Sequence, residues 1–352
     1  MASHTVALVP GDGIGPETSA AMQRVVEASG ADIVWDVAEA GAHLVEEHGT
    51  PLPASTIEAV KRNKVAIKGP VATPVALRRE LGLYACLRPV LSIPGAGGRY
   101  DGVDIVIVRE NSEDLYAGIE FEEGSEGARK LIALCEEEGA GAIRPDSGIS
   151  VKPISKAASE RIVRFAFDYA RRHGRRKVTA VHKANIMKHT DGLFLRAARE
   201  VAAERAEDAA FEERIVDAFC MNMVMDPALF DVVVFPTLYG DIASDLAAGL
   251  VGGLGIAPGA NIGDEYAVFE AVHGSAPDIA GQDKANPTAQ ILSAAMMLDH
   301  LGEAEAAERI RRAVRAVYAE GAHLTADIRK ATGSSKPAAS CTEFTDALIA
   351  AF

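Results

Sequence analysis

Two aspartates four residues apart are the first side chains whose spacing suggests chemistry. In "YGDIASDLAAGL", Asp241 and Asp245 would share one face of a helix and nearly touch. Two like charges at that spacing destabilise a helix unless a cation offsets them, and Mg²⁺ and Mn²⁺ prefer oxygen ligands. The pair is therefore a candidate for a divalent metal site. The alternatives are a solvated pair, or Asp241 as a helix N-cap with Asp245 in the favourable first turn.

Three arginines form a second candidate group. Arg78 lies in "VALRRE", Arg88 lies in "CLRPV", and Arg109 ends the apolar run "DIVIVRE". An arginine at the end of a buried strand is unfavourable unless it is paired or binds an anion. The three together would suit a polycarboxylate, and a set of buried salt bridges is the alternative.

Two further polar side chains are candidates for proton transfer. Lys183 follows an apolar run in "VHKAN", where a lysine can act as a general acid or base if neighbouring charges lower its pKa. Tyr116, in "ENSEDLYAG", is a possible proton donor. A surface lysine and a packed aromatic ring are the structural alternatives.

The stretch "EAVHGSAPDIAGQDKANP", residues 270–287, lacks the periodicity of a packed element. Long ordered loops of this kind are often binding loops. Its backbone groups, together with His273, Asp278 and Asn286, could bind an adenosine, and a surface connection is the alternative.

The stretch "VALVPGDGIGPE", residues 6–17, resembles a strand followed by a phosphate-binding turn. A dinucleotide fingerprint needs Gly-x-Gly-x-x-Gly and an acidic residue about 20 positions further on. Here Pro16 occupies the position of the third glycine, although Asp36 lies near the expected acidic position. The match is partial, and a tight strand-to-helix turn that binds nothing is the better interpretation.

Apolar runs and helical patterns alternate along the chain, which predicts an α/β fold with at least partly parallel strands. Predicted strands include 103–111, 177–185 and 230–241, and a helix is predicted at 156–174. Polar residues just past the strand ends are expected to form the site. Residues 120–152 are glycine-rich, charged and weakly periodic, which indicates a protruding arm.

Composition excludes several classes of function. The 352 residues carry a formal net charge of −14, so nucleic acid and anionic membranes are not expected partners. Four separated cysteines without a C-x-x-C pair favour a reducing cytosol over a disulfide scaffold. No secretory signal or membrane span is visible, and we therefore expect a cytoplasmic protein.

Six motifs, taken in their order along the chain, resemble the isocitrate and isopropylmalate dehydrogenase family. They are "GDGIGPE", "LRRELGLYACLRPV", "VRENSEDLYAGIE", "VHKANIMK", "YGDIASDLAAGLVGGLGIAPGANIGD" and "HGSAPDIAGQDKANP". The resemblance covers nearly the whole chain. It implies a fold that is not a Rossmann fold: a large α/β domain (1–83 and 252–352), a small α/β domain (84–113 and 156–251) and a dimer clasp (114–155).

The resemblance also implies roles for individual residues. The substrate carboxylates would bind Arg78, Arg88 and Arg109, with Asn185 between substrate and nicotinamide. Tyr116 would protonate the carbanion carbon, and Lys183 of the partner subunit would help to remove the hydroxyl proton. Asp241 and Asp245 would ligate Mg²⁺ or Mn²⁺ together with Asp217 supplied by the partner. The expected cofactor-binding residues are Thr73, His273, Gly274, Asp278, Ile279, Ala285 and Asn286.

The implied cofactor is NAD. Asp278 and Ile279 lie where NADP-preferring relatives carry a lysine and a tyrosine. A carboxylate can accept hydrogen bonds from a ribose diol and would repel a 2′-phosphate.

The implied activity is metal-assisted, NAD-dependent oxidative decarboxylation of isocitrate in a homodimer or higher homo-oligomer with shared active sites. "ENSEDLYAGIE" and "SCTEFTDALIAAF" are similar to isocitrate dehydrogenases. The Ser-x-Asn loop that contacts isocitrate in those enzymes is missing before Arg78, where "KGPVATP" runs directly into "VALRRE". Homoisocitrate or 3-isopropylmalate dehydrogenase is therefore an alternative, and a non-catalytic regulatory subunit is a third.

Overall fold

The computed structural model describes residues 3–71 and 74–352. Twelve strands are found in this part of the chain. They are β1 (His4–Val9), β2 (Ile33–Val37), β3 (Val65–Lys68), β4 (Ala85–Leu91), β5 (Asp104–Glu110), β6 (Glu120–Phe121), β7 (Ile149–Ser150), β8 (Lys177–His182), β9 (Ala210–Ile215), β10 (Val232–Phe235), β11 (Pro258–Ile262) and β12 (Ala267–Ala271).

Thirteen α-helices are found in the same described residues, and none of them is long and apolar enough to span a membrane. They are α1 (Gly15–Ala28), α2 (Val45–His48), α3 (Ala54–Asn63), α4 (Pro74–Glu80), α5 (Glu126–Glu137), α6 (Lys156–Arg172), α7 (Asp191–Glu204), α8 (Val216–Met225), α9 (Thr237–Val251), α10 (Thr288–His300), α11 (Ala304–Glu320), α12 (Ala326–Ala331) and α13 (Cys341–Ala350).

Ten strands form one sheet in the order β2-β1-β3-β12-β11-β4-β5-β10-β8-β9. The first four strands of this order are parallel to one another, and the last four strands are also parallel to one another. Between them, β11 pairs antiparallel with both β12 and β4, and β4 pairs antiparallel with β5. The two parallel halves therefore run in opposite directions and are joined by β11 and β4. The predicted α/β class is confirmed.

The buried strands and the amphipathic helices follow from the sequence pattern. All four residues of β10, "VVVF", are buried, as expected for a central parallel strand covered on both faces. Helix α6 begins after Ser155, whose hydroxyl accepts the backbone N–H of Ala158 as an N-cap, and it buries one apolar face that includes Ile162 and Phe167. The helix predicted over 156–174 is thus confirmed apart from its last two residues.

Several elements differ from the prediction, and the strand predicted over 177–185, for example, ends at His182. The strand predicted over 230–241 ends at Phe235, because Pro236 lacks the N–H that would continue the ladder and α9 begins at Thr237. The predicted arm contains the antiparallel pair of β6 and β7 and also helix α5, and neither of these elements was predicted. The apolar residues of α5 are flanked by glycines and acidic residues, and this composition obscured the helical period.

The glycine-rich turn after β1 packs closely against the backbone of neighbouring loops, and its Asp12 and Gly13 also lie in the wall of a cleft. Gly13 has a φ of +59°, and any Cβ there would collide with the carbonyl of Ser275, to which the Ile14 N–H donates a hydrogen bond of 2.9 Å. Pro16 lies in the first turn of α1. Asp36 pairs with Arg62 and accepts a hydrogen bond from Asn63, which together hold its pKa below the usual range. The interpretation of this stretch as a structural turn agrees with these contacts.

Candidate active site

A cleft of about 680 Å³ lies over the junction of the two halves of the sheet. Strands β3, β4, β11 and β12, the end of β5, helix α9 and the loop after β12 all contribute to its walls. The predicted residues in its lining are Arg78, Arg88, Arg109, Tyr116, Asp241, His273 and Gly274. Side chains that lie far apart in the sequence therefore meet at one site.

Arg109 is the most deeply buried charged side chain of the cleft, with 1% of its surface exposed. Its Nε donates to the Thr237 carbonyl at 2.9 Å, Nη1 pairs with Asp241, and Nη2 has no hydrogen-bond partner. The guanidinium also lies over the Tyr116 ring, 4.6 Å from the ring centroid. Burial lowers the pKa of Arg109, yet guanidinium stays charged at neutral pH. A buried N–H without a partner in such a cleft can be satisfied by an anion.

Arg78 is held by a closed ring of hydrogen bonds. Its Nη2 donates to Glu270 at 2.9 Å and its Nη1 donates to Asn111 at 3.3 Å. Asn111 in turn donates to Asn261 at 3.0 Å, and Asn261 donates to Glu270 at 2.6 Å. Lys68 pairs with the other carboxylate oxygen of Glu270. The ring leaves the buried Nε of Arg78 without a partner, so the arginine is oriented but not saturated.

Glu270→Gln is expected to raise the KM for a carboxylate substrate by about tenfold, because Arg78 would lose its charged partner and its fixed orientation. The change also leaves Lys68 and Arg78 without a counter-charge, which is expected to reduce the free energy of unfolding by roughly 3–5 kcal/mol. Lys68 and Arg78 hold the pKa of Glu270 far below its usual value although burial opposes them, so the carboxylate is ionised at neutral pH.

Steady-state kinetics and urea unfolding measure the two effects. The matched control is Glu80→Gln, which removes an exposed pair with Lys61 and is expected to change neither. An unchanged KM in Glu270→Gln would show that the ring does not orient Arg78.

Arg88 connects the arginine group to α9. Its Nη1 donates to the hydroxyl of Ser244 and lies 3.3 Å from Asp245, and its Nη2 lies 3.6 Å from Asp241. The two aspartates are on successive turns of α9, as their spacing predicts. The alternative of an N-cap at Asp241 is excluded, since the N-cap residue of α9 is Pro236.

The two aspartates of α9 differ in their surroundings. Burial raises the pKa of Asp241, but Arg109, the Tyr116 hydroxyl at 2.5 Å and Arg88 outweigh burial and leave that pKa below its usual value. For Asp245, burial and the charge of Asp241 raise the pKa in spite of Arg88. A divalent cation would relieve this repulsion, so the pair fits part of a Mg²⁺ or Mn²⁺ site. No group of three or more His, Cys, Asp or Glu side chains that could hold a metal is found in the described residues, so further ligands would have to come from outside this set.

Lys183, Asn185 and Asp217 do not line this cleft. Lys183 donates to Asp217 instead, in a pair whose side chains are 26% and 69% exposed. This pair holds the pKa of Asp217 below its usual value. Asn185, two residues after Lys183 and just beyond the end of β8, is also exposed. All three are therefore presented to the outside of the subunit.

Hydrogen bonds to α1 and to the inside of the protein hold the predicted cofactor loop in place. The backbone N–H groups of Ala285 and Asp283 donate to Glu17 of α1, at 3.0 and 3.3 Å. Asn286 turns inward, where its side chain donates to Asp327 at 2.9 Å and Tyr318 at 3.3 Å. Its side chain is therefore not available to a ligand in this conformation, and only its backbone is.

The other predicted cofactor residues lie in the upper part of this loop. His273 and Gly274 line the cleft, and burial lowers the pKa of the His273 imidazole. Asp278 is exposed and Ile279 is half-buried. Thr73 lies outside the described residues.

Sequence reasoning missed several residues of the cleft, among them Lys68, Cys86, Asn261 and Glu270. Charged residues at the end of the short apolar runs "VAIK" and "AVFEA" were the available signal. Lys68 and Glu270 are paired across neighbouring strands, and that pairing is set by the fold and not by their local sequence.

Residues 5–348 match one known family, described as isocitrate/isopropylmalate dehydrogenase. A Caenorhabditis elegans protein named as the probable alpha subunit of a mitochondrial NAD isocitrate dehydrogenase is 48% identical, with 92% of this chain and 87% of that protein covered. A Dictyostelium discoideum protein named as a regulatory subunit of a mitochondrial NAD isocitrate dehydrogenase is 46% identical over 98% of this chain and 90% of its own length.

A crystal structure of isocitrate dehydrogenase from Methylococcus capsulatus superposes with a TM-score of 0.89 at 46% identity and covers 99% of both chains. The chain belongs to the isocitrate/isopropylmalate dehydrogenase family. The fold predicted from the motifs is confirmed, and the predicted NAD-dependent isocitrate dehydrogenase activity agrees with the names of these relatives.

The expectation of a cytoplasmic location is wrong by the same comparison, because the relatives from C. elegans and D. discoideum are named mitochondrial. The expectation rested on the dispersed cysteines and on the lack of a visible secretory signal or membrane span. Cys86, Cys135, Cys220 and Cys341 are all free in the structure. Free cysteines show that no disulfide holds the fold, but they do not distinguish one reducing compartment from another.

Proposed function

We propose that this chain catalyses the NAD-dependent oxidative decarboxylation of isocitrate to 2-oxoglutarate and CO₂. The observation that carries the proposal is the unpartnered, buried Nη2 of Arg109, which lies in one cleft with Arg78, Arg88 and the Tyr116–Asp241 pair. A cleft with several buried cations beside a metal-binding carboxylate suits a small tricarboxylate. Relatives that are 44–48% identical carry the same activity in their names.

Each residue then has a distinct task. The three arginines bind and orient the substrate carboxylates. Asp241 and Asp245 hold Mg²⁺ or Mn²⁺, which when bound acts as a Lewis acid toward the substrate hydroxyl. Tyr116 donates its hydroxyl proton to C3 after CO₂ has left. Burial and the hydrogen bond to Asp241 raise the pKa of Tyr116, which keeps that proton on the phenol at neutral pH.

The alternatives are homoisocitrate or 3-isopropylmalate dehydrogenase and a non-catalytic regulatory subunit. The regulatory interpretation has support in the D. discoideum name, but the arginines, Tyr116 and both α9 aspartates are all present here. Steady-state assays of the purified chain with each of the three substrates, NAD⁺ and Mn²⁺ separate them. The proposal requires the highest kcat/KM with isocitrate, and no turnover of any substrate by the chain alone would favour the regulatory subunit.

NAD⁺ is the proposed cofactor, because the exposed Asp278 carboxylate would accept hydrogen bonds from a ribose diol and repel a 2′-phosphate. We expect kcat/KM with NAD⁺ to exceed that with NADP⁺ by at least about 10²-fold, roughly the effect of one unfavourable charge contact. Asp278→Lys is expected to shift the ratio toward NADP⁺. Asp101→Lys, an exposed aspartate in the turn between β4 and β5, is a charge-matched control that should leave the ratio unchanged. Comparable efficiency of the wild type with both cofactors would contradict the assignment.

The proposed active site is shared between two subunits. Lys183 and Asp217 point outward, and next to them α8 exposes Met221, Val224 and Met225. An apolar group of this kind beside two outward charged side chains is typical of a subunit interface. We propose that a second subunit of this fold contributes Lys183, Asn185 and Asp217 to the cleft. The relatives named as alpha or regulatory subunits favour a heteromeric assembly, whereas a homodimer is the simpler case for this chain alone.

Co-expression of two inactive variants tests the shared site. Lys183→Ala and Asp241→Asn each remove one contribution, so homodimers of either variant should be inactive. Mixed dimers contain one intact site, and random pairing should restore about a quarter of the wild-type activity. The control uses Lys188→Ala in place of Lys183→Ala. Lys188→Ala should be active when expressed alone, without the second variant. Failure of the mixed dimers to regain activity would place each complete site within one chain.

A further inference from the structure

A second cavity lies on the opposite face of the sheet from the cleft, with a volume of about 820 Å³. Its floor contains Leu87 and Pro89 of β4 and Ile262 of β11. Successive residues of a strand point to opposite faces, so Cys86 and Asn261 face the cleft while these three face the other side. We call this second cavity the back groove.

Two helices form the walls of the back groove. Helix α6 contributes Phe165 and Tyr169, and helix α10 contributes Leu292 and Met296. Each pair is spaced by four residues, which places both members on one helix face. All four side chains are half-buried. The groove is therefore apolar along most of its length.

The same two helix faces become polar at their carboxyl ends. Arg172 and His173 follow Tyr169 on α6, while Asp299 and His300 follow Met296 on α10, and all four line the groove. Asp299 pairs with Arg311 of α11. Among the residues that the structure describes, Arg172 has no carboxylate within ion-pair distance. Burial and then the charge of Arg172 lower the pKa of both His173 and His300.

The back groove adjoins the active-site cleft. Strands β4 and β11 remain paired only at Ala85–Leu87 and Ala260–Ile262, and the groove opens where they separate. Arg88, Ala260 and Val272 line both cavities. A ligand in the groove would therefore contact the same strand that carries a substrate-binding arginine.

We propose that the back groove binds a small amphipathic anion, with its apolar body between α6 and α10 and its acidic group beside Arg172. The lining also includes Asp104, Arg175, Arg311 and Arg315, and a mostly apolar cavity of this size with a minority of polar side chains is typical of small-molecule sites. In a chain with a net charge of −14, a cationic end selects an anion over a cation. We further propose, on the basis of the proposed function, that a ligand bound in the back groove changes the affinity for isocitrate through Arg88. A ligand shifts the equilibrium between two conformations of a protein when it binds one of them more tightly than the other.

Fluorescence titration with 8-anilino-1-naphthalenesulfonate, an aromatic sulfonate, tests the binding site. Arg172→Ala is expected to raise the Kd about tenfold, the effect of losing one charged contact. Arg171→Ala is the matched control, because Arg171 is adjacent but pairs with Asp168 on the exposed side of α6. Met296→Trp is expected to fill the groove and remove the saturable signal. Thermal unfolding of each variant checks that it is folded.

Equal Kd values for the dye in Arg172→Ala and Arg171→Ala would overturn the proposal. Arg172 would then contribute only to the end of its helix and not to binding of the anion. Saturable binding that persists in Met296→Trp would also overturn it by placing the dye elsewhere. The probe is expected to change the KM for isocitrate in the wild type and not in Met296→Trp, and an unchanged wild-type KM would overturn the coupling. The fluorescence titration needs no turnover, so it tests the binding site even if the chain is inactive with isocitrate. Inactivity with isocitrate would contradict the proposed function and not the binding site.

Discussion

Replacing Asp241 by asparagine is expected to lower kcat by roughly 10³-fold, the largest single effect in the site. The carboxylate is the proposed ligand of the divalent cation, and it is also the partner of both Arg109 and Tyr116. An amide keeps the shape of the side chain but removes the charge that a hard cation requires. It also leaves the buried Arg109 guanidinium without its counter-charge.

Steady-state kinetics over a series of Mn²⁺ concentrations measure this effect. The loss in kcat should persist at saturating Mn²⁺, and the apparent Mn²⁺ affinity should fall. Asp146→Asn, an exposed aspartate of the arm, is the matched control and should behave as wild type. Retention of full turnover with unchanged Mn²⁺ dependence would exclude Asp241 as a ligand.

Replacing Tyr116 by phenylalanine is expected to lower steady-state kcat by about 10²- to 10³-fold, the usual contribution of a positioned general acid. The change removes the proton donor but leaves the arginines and the aspartates in place. Hydride transfer should therefore be spared, so that rapid mixing shows a burst of NADH followed by a slow steady state.

Tyr84→Phe is the control for Tyr116→Phe, because Tyr84 packs against Phe165 outside the cleft. It should show neither the burst nor the loss of kcat. Full turnover in Tyr116→Phe would show that another group protonates C3.

Much of the fold and part of the site follow from local sequence. Runs such as "VVVF" and "DIVIVRE" are typical of buried strands, and both are strands in the structure. The four-residue spacing of Asp241 and Asp245 places both on one helix face. The position of Arg109 at a strand end predicts an anion site, and its buried Nη2 without a partner is compatible with that prediction. These features depend on periodicity and on the cost of burying charge, which a single sequence records.

The remaining features depend on contacts between distant segments. Asn111, Asn261 and Glu270 look unremarkable in sequence, and only the pairing of β11 with β12 and β4 brings them together around Arg78. Asn286 was expected to face the adenosine, but its side chain is used by Tyr318 and Asp327. No local signal distinguishes a side chain that faces a ligand from one that holds the ligand's loop in place.

The most direct test of the central claim is product analysis of isocitrate turnover by the purified chain with NAD⁺ and Mn²⁺. We predict that NADH, CO₂ and 2-oxoglutarate form in equal amounts and that omission of the divalent cation abolishes all three. Formation of NADH without CO₂, or preferred turnover of homoisocitrate or 3-isopropylmalate over isocitrate, would contradict the proposed reaction.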